Sequence, residues 1–426
     1  EICFRESFLN CQDQIYSEEY IDFIGNRSLI ESKYTLDCKQ PLGARFASLY
    51  LKLSDGYEDG TVYGYYNIPK LFGLQDTGSM ESSGILLDGS GVLIGFVDTG
   101  IDYAGSIFLK QDGTTRVTAI WDQTIPAGSP IRLPAQPELP ETPENITRTP
   151  EGFLYGSEFT HEQLNAAVKM ADAYEGISSR DENGHGTFLA SIAAGNELPD
   201  GSFTGAAPKA DIAMVKLKPA KNRLRAYYQI KEDAVAYQEN DIMAGVSLAK
   251  KRQQPLVICL GLGTNAGSHR GGLPLARMLE ELGSSVGITI VAGTGNETSR
   301  GHHFEGQISS ESGYEDVEIR VAEGENGFFL ELWASAPETY SIAIRSPNGE
   351  VIPRIYVRPG RIEILNFALA QTRVEVSYRL SVTGTGEFLA LLRFINITPG
   401  VWTVRVYNDL FITGHYHMWL PIESFL

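Results

Sequence analysis

A chain of 426 residues with 42% hydrophobic side chains can form two or three domains of about 150 residues, each with its own core, which excludes a disordered polymer. A formal charge of −18 repels phosphates and anionic headgroups, so neither nucleic acid nor an anionic membrane surface is an expected partner. No apolar run approaches the roughly 20 residues that a spanning helix needs, so membrane insertion is not expected.

Residues 1–70 show no clear alternation of strand and helix and read as an N-terminal extension or prosegment. Residues 71–304 read differently. GVLIGFVD (91–98) is a short apolar run ending in Asp98. Residues 126–150 are rich in proline and predict an exposed loop. The helical stretch 185–195 follows, then the apolar run ADIAMVKL (210–217). A second helical stretch spans 233–254 and leads into PLVICLGLG (255–263). A third spans 273–283 and leads into GITIVAGTGN (287–296). Apolar strands alternating with helices predict an α/β domain, a parallel sheet covered by helices on both faces. Over 305–426 the apolar period becomes two. Runs such as VEIRVAE, FFLELWAS, VEVSYRLSV and VWTVRVYN are separated by turn signals such as SPNGE and GTGE. That pattern predicts an antiparallel β-sandwich.

The four cysteines, Cys3, Cys11, Cys38 and Cys259, form no CxxC pair, so neither a disulfide framework nor a zinc site is expected. Cys259 lies in an apolar run and reads as a small buried hydrophobe. His302–His303 and His415/His417 have metal-ligand spacing, the second pair on one face of a strand. Neither has a carboxylate or cysteine pattern beside it in the sequence, so no metal ligand is assigned. Asp102, Asp181 and Glu182 read as solvated; an acidic cleft favouring basic substrate residues is their functional alternative.

Three polar residues stand at strand ends or a helix start, where α/β sheets build their sites. Asp98 closes a buried strand, His185 opens a helix between two glycines, and Asn296 follows another strand. A carboxylate beside an imidazole fixes its tautomer and stabilises the imidazolium. That imidazole can take a proton from a nucleophilic hydroxyl. A carboxamide can donate to the oxyanion that results; losing such a donor costs about 3–4 kcal/mol of transition-state stabilisation.

VDTGID (97–102), NGHGT (183–187) and VAGTGNE (291–297) resemble the Asp, His and oxyanion-Asn motifs of subtilisin-like serine peptidases, in the family order. GSFTGAAPKADIAMVKL (201–217) is similar to the segment that follows the histidine helix in those enzymes. VICLGLG (257–263) is similar to the strand that lines their primary specificity pocket, which implies substrate contacts at Leu260, Gly261, Leu262 and Gly263. The likeness runs over roughly residues 66–304. TNAGSHRG (264–271), GNETSRGHHF (295–304) and a β-sandwich after the asparagine resemble the clostridial Csp-type branch. The resemblance implies a subtilisin-like parallel sheet flanked by helices, with an inserted, jelly-roll-like antiparallel β-sandwich. It implies a serine endopeptidase with a peptide or protein substrate and an acyl-enzyme route. Asp98 would orient His185, His185 would move the proton, and Asn296 would hold the oxyanion. No organic cofactor is implied; calcium is common in the family, but no ligand set is assignable here. The branch also holds catalytically inactive relatives that act as sensors, so an inactive sensor or binding protein is the alternative. A docking role for the sandwich is a third reading. The sequence names no compartment, whereas the resemblance implies a spore-associated or secreted setting in a clostridial bacterium. The family's nucleophile sits in a G-T-S-x-A helix start, and no such motif lies between Asn296 and Leu426. TGSMES (77–82) precedes Asp98 and does not fit it. The serine segment, with the remainder of the peptidase domain, is therefore expected beyond residue 426.

Overall fold

A computed structural model describes residues 2–4, 88–133, 146–199, 203–249 and 254–425. All but residues 2–4 of the expected N-terminal extension, TGSMES, Cys11, Cys38 and the middle of the proline-rich loop lie outside the described residues. The elements begin with β1 (Ile2–Phe4), β2 (Leu93–Asp98), β3 (Val117–Asp122) and β4 (Ser157–Thr160). The helices α1 (His161–Val168), α2 (Ala173–Gly176) and α3 (His185–Ala194) follow, then β5 (Asp211–Lys216). Next come α4 (Asn222–Tyr227), α5 (Glu239–Ala249), β6 (Leu256–Leu260), α6 (Pro274–Gly283) and β7 (Ile288–Ala292).

Strands β2 to β7 form one sheet in the order β4-β3-β5-β2-β6-β7. All neighbours are parallel except the edge pair β3–β4, which is antiparallel. Every residue of β2 is buried, because both faces of the sheet are covered. Ile94 and Phe96 pack with Leu164, Ala190 and Ala194 of α1 and α3. Leu93 and Val97 face the other way, toward Val246 of α5 and Leu282 of α6. Full burial of such side chains stabilises by roughly 1.5–3 kcal/mol each, which holds the strand tips in place.

The sheet departs from the sequence reading in two ways. Strands β3 and β4 and helix α1 were not foreseen, because no helix follows β3; an irregular loop and a reversed edge strand do. Helix α5 starts at Glu239, not near residue 233. The residues before it are committed elsewhere: the Ala236 carbonyl accepts from Ala220 N–H, and the Gln238 side chain accepts from Lys221 N–H.

The remaining strands are β8 (His303–Gln307), β9 (Tyr314–Val321), β10 (Gly327–Ala334), β11 (Tyr340–Arg345) and β12 (Val351–Ile355). They continue with β13 (Ile362–Phe367), β14 (Thr372–Arg379), β15 (Phe388–Ile395), β16 (Gly400–Asn408) and β17 (His415–Trp419). Two antiparallel sheets result, β1-β9-β16-β11-β12 and β13-β14-β15-β10-β17-β8. Their inner faces share one core that includes Ile319, Trp402 and Val404 from one sheet and Leu330, Val376 and Phe394 from the other. This is the sandwich that the period of two predicts. Strand β1 is an addition: Ile2–Phe4 pairs with Ile319–Val321 at the edge of the first sheet. Strands β8, β12 and β13 were not foreseen. In β12 and β13 one side is largely exposed and the apolar signal is diluted.

Candidate active site

Asp98 is the last residue of β2 and His185 the first of α3. The parallel sheet brings them together: His185 Nδ1 lies 2.7 Å from Asp98 Oδ1. The same oxygen accepts the Thr99 N–H at 2.7 Å. Asp98 is buried, whereas the His185 side chain is 43% exposed. A buried carboxylate against Nδ1 leaves Nε2 as the working nitrogen, and among the described residues no serine hydroxyl is hydrogen-bonded to this ring. The hydrogen bond to Asp98 raises the His185 pKa above its ordinary 6.5; partial burial opposes this, and the Asp98 and Asp181 charges add to it. A raised folded-state pKa means that the pair's contribution to stability is complete below 6.5. It fades as pH rises through the shifted value.

The start of α3 is held by residues that the motif reading left aside. Gly184 caps the helix with φ of 87°, a conformation that favours glycine, and it offers no side-chain cap. Asp181 supplies the cap instead. Its carboxylate accepts from Gly184 N–H at 2.9 Å, Thr187 N–H at 2.9 Å and the Thr187 hydroxyl at 2.7 Å. It also accepts from the Thr99 hydroxyl at 2.8 Å, and that hydroxyl accepts from Gly186 N–H at 2.9 Å. Thr99 and Asp181 therefore tie the aspartate turn to the histidine helix. The solvated reading of Asp181 is corrected: it is a half-buried structural acceptor. Asp102 is likewise engaged, accepting from the Tyr174 hydroxyl, and Glu182 pairs with Lys216 Nζ at 2.8 Å. Replacing Asp181 by Ala is expected to cost about 1–2 kcal/mol, the value of a lost N-cap, read as a lower denaturant midpoint with an unchanged slope.

At the other end of α3, the buried Arg116 guanidinium donates to the Ala194 carbonyl and, at 2.8 Å, to that of Ala210. Burial pulls its pKa down to about 10, so it remains charged at neutral pH, where a cation suits a helix carboxyl end.

Beyond β6 the chain passes beneath the pair. A Cβ built on Gly261 would lie 3.1 Å from both His185 Cε1 and Asp98 Oδ2, and 2.2 Å from Leu189 Cδ1. Only glycine fits there without displacing Leu189. Among the described residues, the backbone groups of Gly261, Leu262 and Gly263 make no backbone hydrogen bond. Leu260 is placed differently: its side chain is in the core, and its carbonyl accepts from Gly293 N–H at 3.3 Å. Cys259 is a free, half-buried thiol whose pKa is raised by burial and then by the Asp98 charge, which keeps it protonated.

Asn296 stands exposed at a bend past β7. The Cβ position of Gly263 lies 3.9 Å from Gly295 Cα, so the bend adjoins the open segment 261–263. The next residue, Glu297, anchors it. Its carboxylate meets His302 Nδ1 at 2.5 Å and accepts from Asn265 Nδ2 at 3.3 Å and Glu423 N–H at 3.2 Å. Glu297 lies inside the quoted motifs but received no role from them, because two of its partners, Asn265 and Glu423, are distant in sequence.

The profile described as the subtilase family (Peptidase_S8) matches residues 89–340, more than half of the chain. The chain belongs to the subtilase family. This subtilase is 30% identical over 156 residues to subtilisin-like protease SBT2.2 of Arabidopsis thaliana, a match covering 35% of this chain and 17% of that protein. It is 30% identical over 144 residues to subtilisin-like protease SBT3.8 of the same plant, covering 30% and 16%. The matched stretch is thus about a sixth of the length of these relatives. Among solved structures, the fold is similar to the Clostridium perfringens CspB protease, with a TM-score of 0.63 and 24% identity over 79% of this chain and 62% of that one. That likeness supports the α/β fold with an inserted β domain. Among the described residues, no helix is long and apolar enough to cross a membrane.

Proposed function

We propose that this subtilase is a serine endopeptidase that cleaves peptide bonds through an acyl-enzyme. The contact between His185 Nδ1 and Asp98 Oδ1 at 2.7 Å carries the reading. Asp98 holds the ring in the tautomer whose Nε2 accepts a proton. A serine hydroxyl, supplied from outside the described residues, gives that proton to Nε2 and attacks the substrate carbonyl carbon. The carbonyl oxygen becomes an oxyanion and accepts a hydrogen bond from the exposed Asn296 carboxamide. Collapse expels the amine, which takes the proton from His185; water then releases the acid by the reverse sequence. The backbone of Gly261–Gly263, unpaired among the described residues, is the edge on which an extended peptide adds as a strand. In this reading the peptidase domain's first part gives way to the inserted sandwich near His303, where the antiparallel sheets begin.

The test is labelling of the full-length protein with a fluorophosphonate probe, followed by mapping of the modified residue. The reading expects one labelled serine and loss of labelling in His185→Ala. Absence of labelling at every pH tried, with folded protein, would assign the site to a binding or sensing role without turnover.

A further inference from the structure

We infer that the outer face of the β8–β17 ribbon binds one divalent transition-metal ion of the zinc class, through Glu305, His415 and His417. The sequence assigned no metal here, because His415 and His417 have no carboxylate beside them in the chain, and Glu305 follows the other pair, His302–His303. Strand pairing supplies it: Glu305 lies directly opposite His417 in the antiparallel register. Glu305 Oε1 is 3.2 Å from His415 Nε2. One ligand atom from each of the three residues lies within 4.8 Å of the other two, a spread that rotamer adjustment closes around a single ion. Tyr416 and Met418, which alternate with them along β17, are buried, so His415 and His417 project from the opposite face, side by side.

A further residue orients the set. His303 Nε2 lies 3.0 Å from His417 Nδ1, and the His303 ring stacks on Trp419 with centroids 3.8 Å apart. An imidazole fixed through its second nitrogen is how proteins aim a ligating histidine. Two imidazoles and one carboxylate suit zinc and its transition-metal neighbours; calcium, which takes six to eight oxygens, is a poor match. The side chains of His415 and Glu305 are 43% and 56% exposed, so the remaining coordination positions open to solvent. The chain's charge of −18 favours cation capture.

The ion would also do mechanical work. Among the described residues, strand β8 is the edge of its sheet and pairs only with β17. A bridge from Glu305 to the two β17 histidines adds a side-chain clasp to that pairing. Just before β8, His302 holds Glu297, the anchor of the Asn296 bend. Loading the site therefore stiffens the connection into that bend.

The experiment uses the full-length protein, without a polyhistidine tag, stripped with EDTA and titrated with cobalt(II) and zinc(II). One ion per chain is expected, with visible cobalt bands that zinc abolishes and excess calcium leaves unchanged. His303→Gln should weaken binding by about 10–100-fold, as for other outer partners of a metal ligand, and Glu305→Gln and His417→Gln by more. Amide exchange over 303–307 should slow when zinc is added. Each variant is checked for folding by circular dichroism in EDTA; His415→Gln, at an exposed position, replaces any that fails. Absence of cobalt bands and zinc heat in the wild type, or unchanged affinity in a folded ligand variant, would overturn the inference. Neither readout depends on peptidase activity.

Discussion

Replacing Asp98 by Asn in the full-length protein is expected to slow acylation by a fluorophosphonate about 10⁴-fold, with the fold intact. The carboxylate is buried and sits 2.7 Å from His185 Nδ1, so it accepts that ring's N–H. An amide of the same shape can present its NH2 group instead, which turns the ring to the wrong tautomer and places a proton on Nε2. The serine then has no acceptor. The pH profile should change as well. The wild-type rate should rise with pH through a limb above 6.5, because Asp98 raises the His185 pKa and only the neutral ring is a base. The variant's residual rate should lose that limb. Second-order labelling rates measured across pH give both results; a variant that labels at the wild-type rate would remove Asp98 from the mechanism.

Gly186→Ala is expected to damage stability and activity together. A Cβ at Gly186 would stand 2.2 Å from the Gly100 carbonyl oxygen and 3.2 Å from Asp98 Cβ. The nearer obstacle is backbone, so no side-chain rotation relieves it. Helix α3 must retreat from the turn after β2, which also stretches the bond from Gly186 N–H to the Thr99 hydroxyl. Overpacking of this kind costs about 1–3 kcal/mol. A shift of roughly 1 Å between His185 and Asp98 costs about 10²-fold in rate. Denaturant midpoints and labelling rates on the same preparation measure the two losses. An alanine variant with native stability and native rate would show that the helix does not rest on the turn.

The parts of this molecule that were legible in its sequence share a physical cause. Strands β2, β5 and β6 are short apolar runs because both sheet faces are covered, and their ends mark where polar residues can gather. Asp98 and His185 could be paired on that basis. The antiparallel sandwich declared itself through alternation, as in β9 and β14. What escaped depends on partners distant in sequence. Asp181 looks like any loop carboxylate until Thr99 and the start of α3 close around it. Glu305 has no ligand signature until the register of β8 on β17 sets it opposite His417. Leu260 was grouped with the open segment 261–263, although its carbonyl is already taken by Gly293 N–H. A sequence window does not show where β6 stops pairing.

The claim beneath the catalytic reading is that Asp98 controls the proton on His185. Titrating the His185 ring by NMR, in the wild type and in Asp98→Asn, tests it most directly. The account predicts a midpoint above 6.5 in the wild type that falls when the carboxylate is removed. A midpoint at or below 6.5, or one that ignores the substitution, would contradict it.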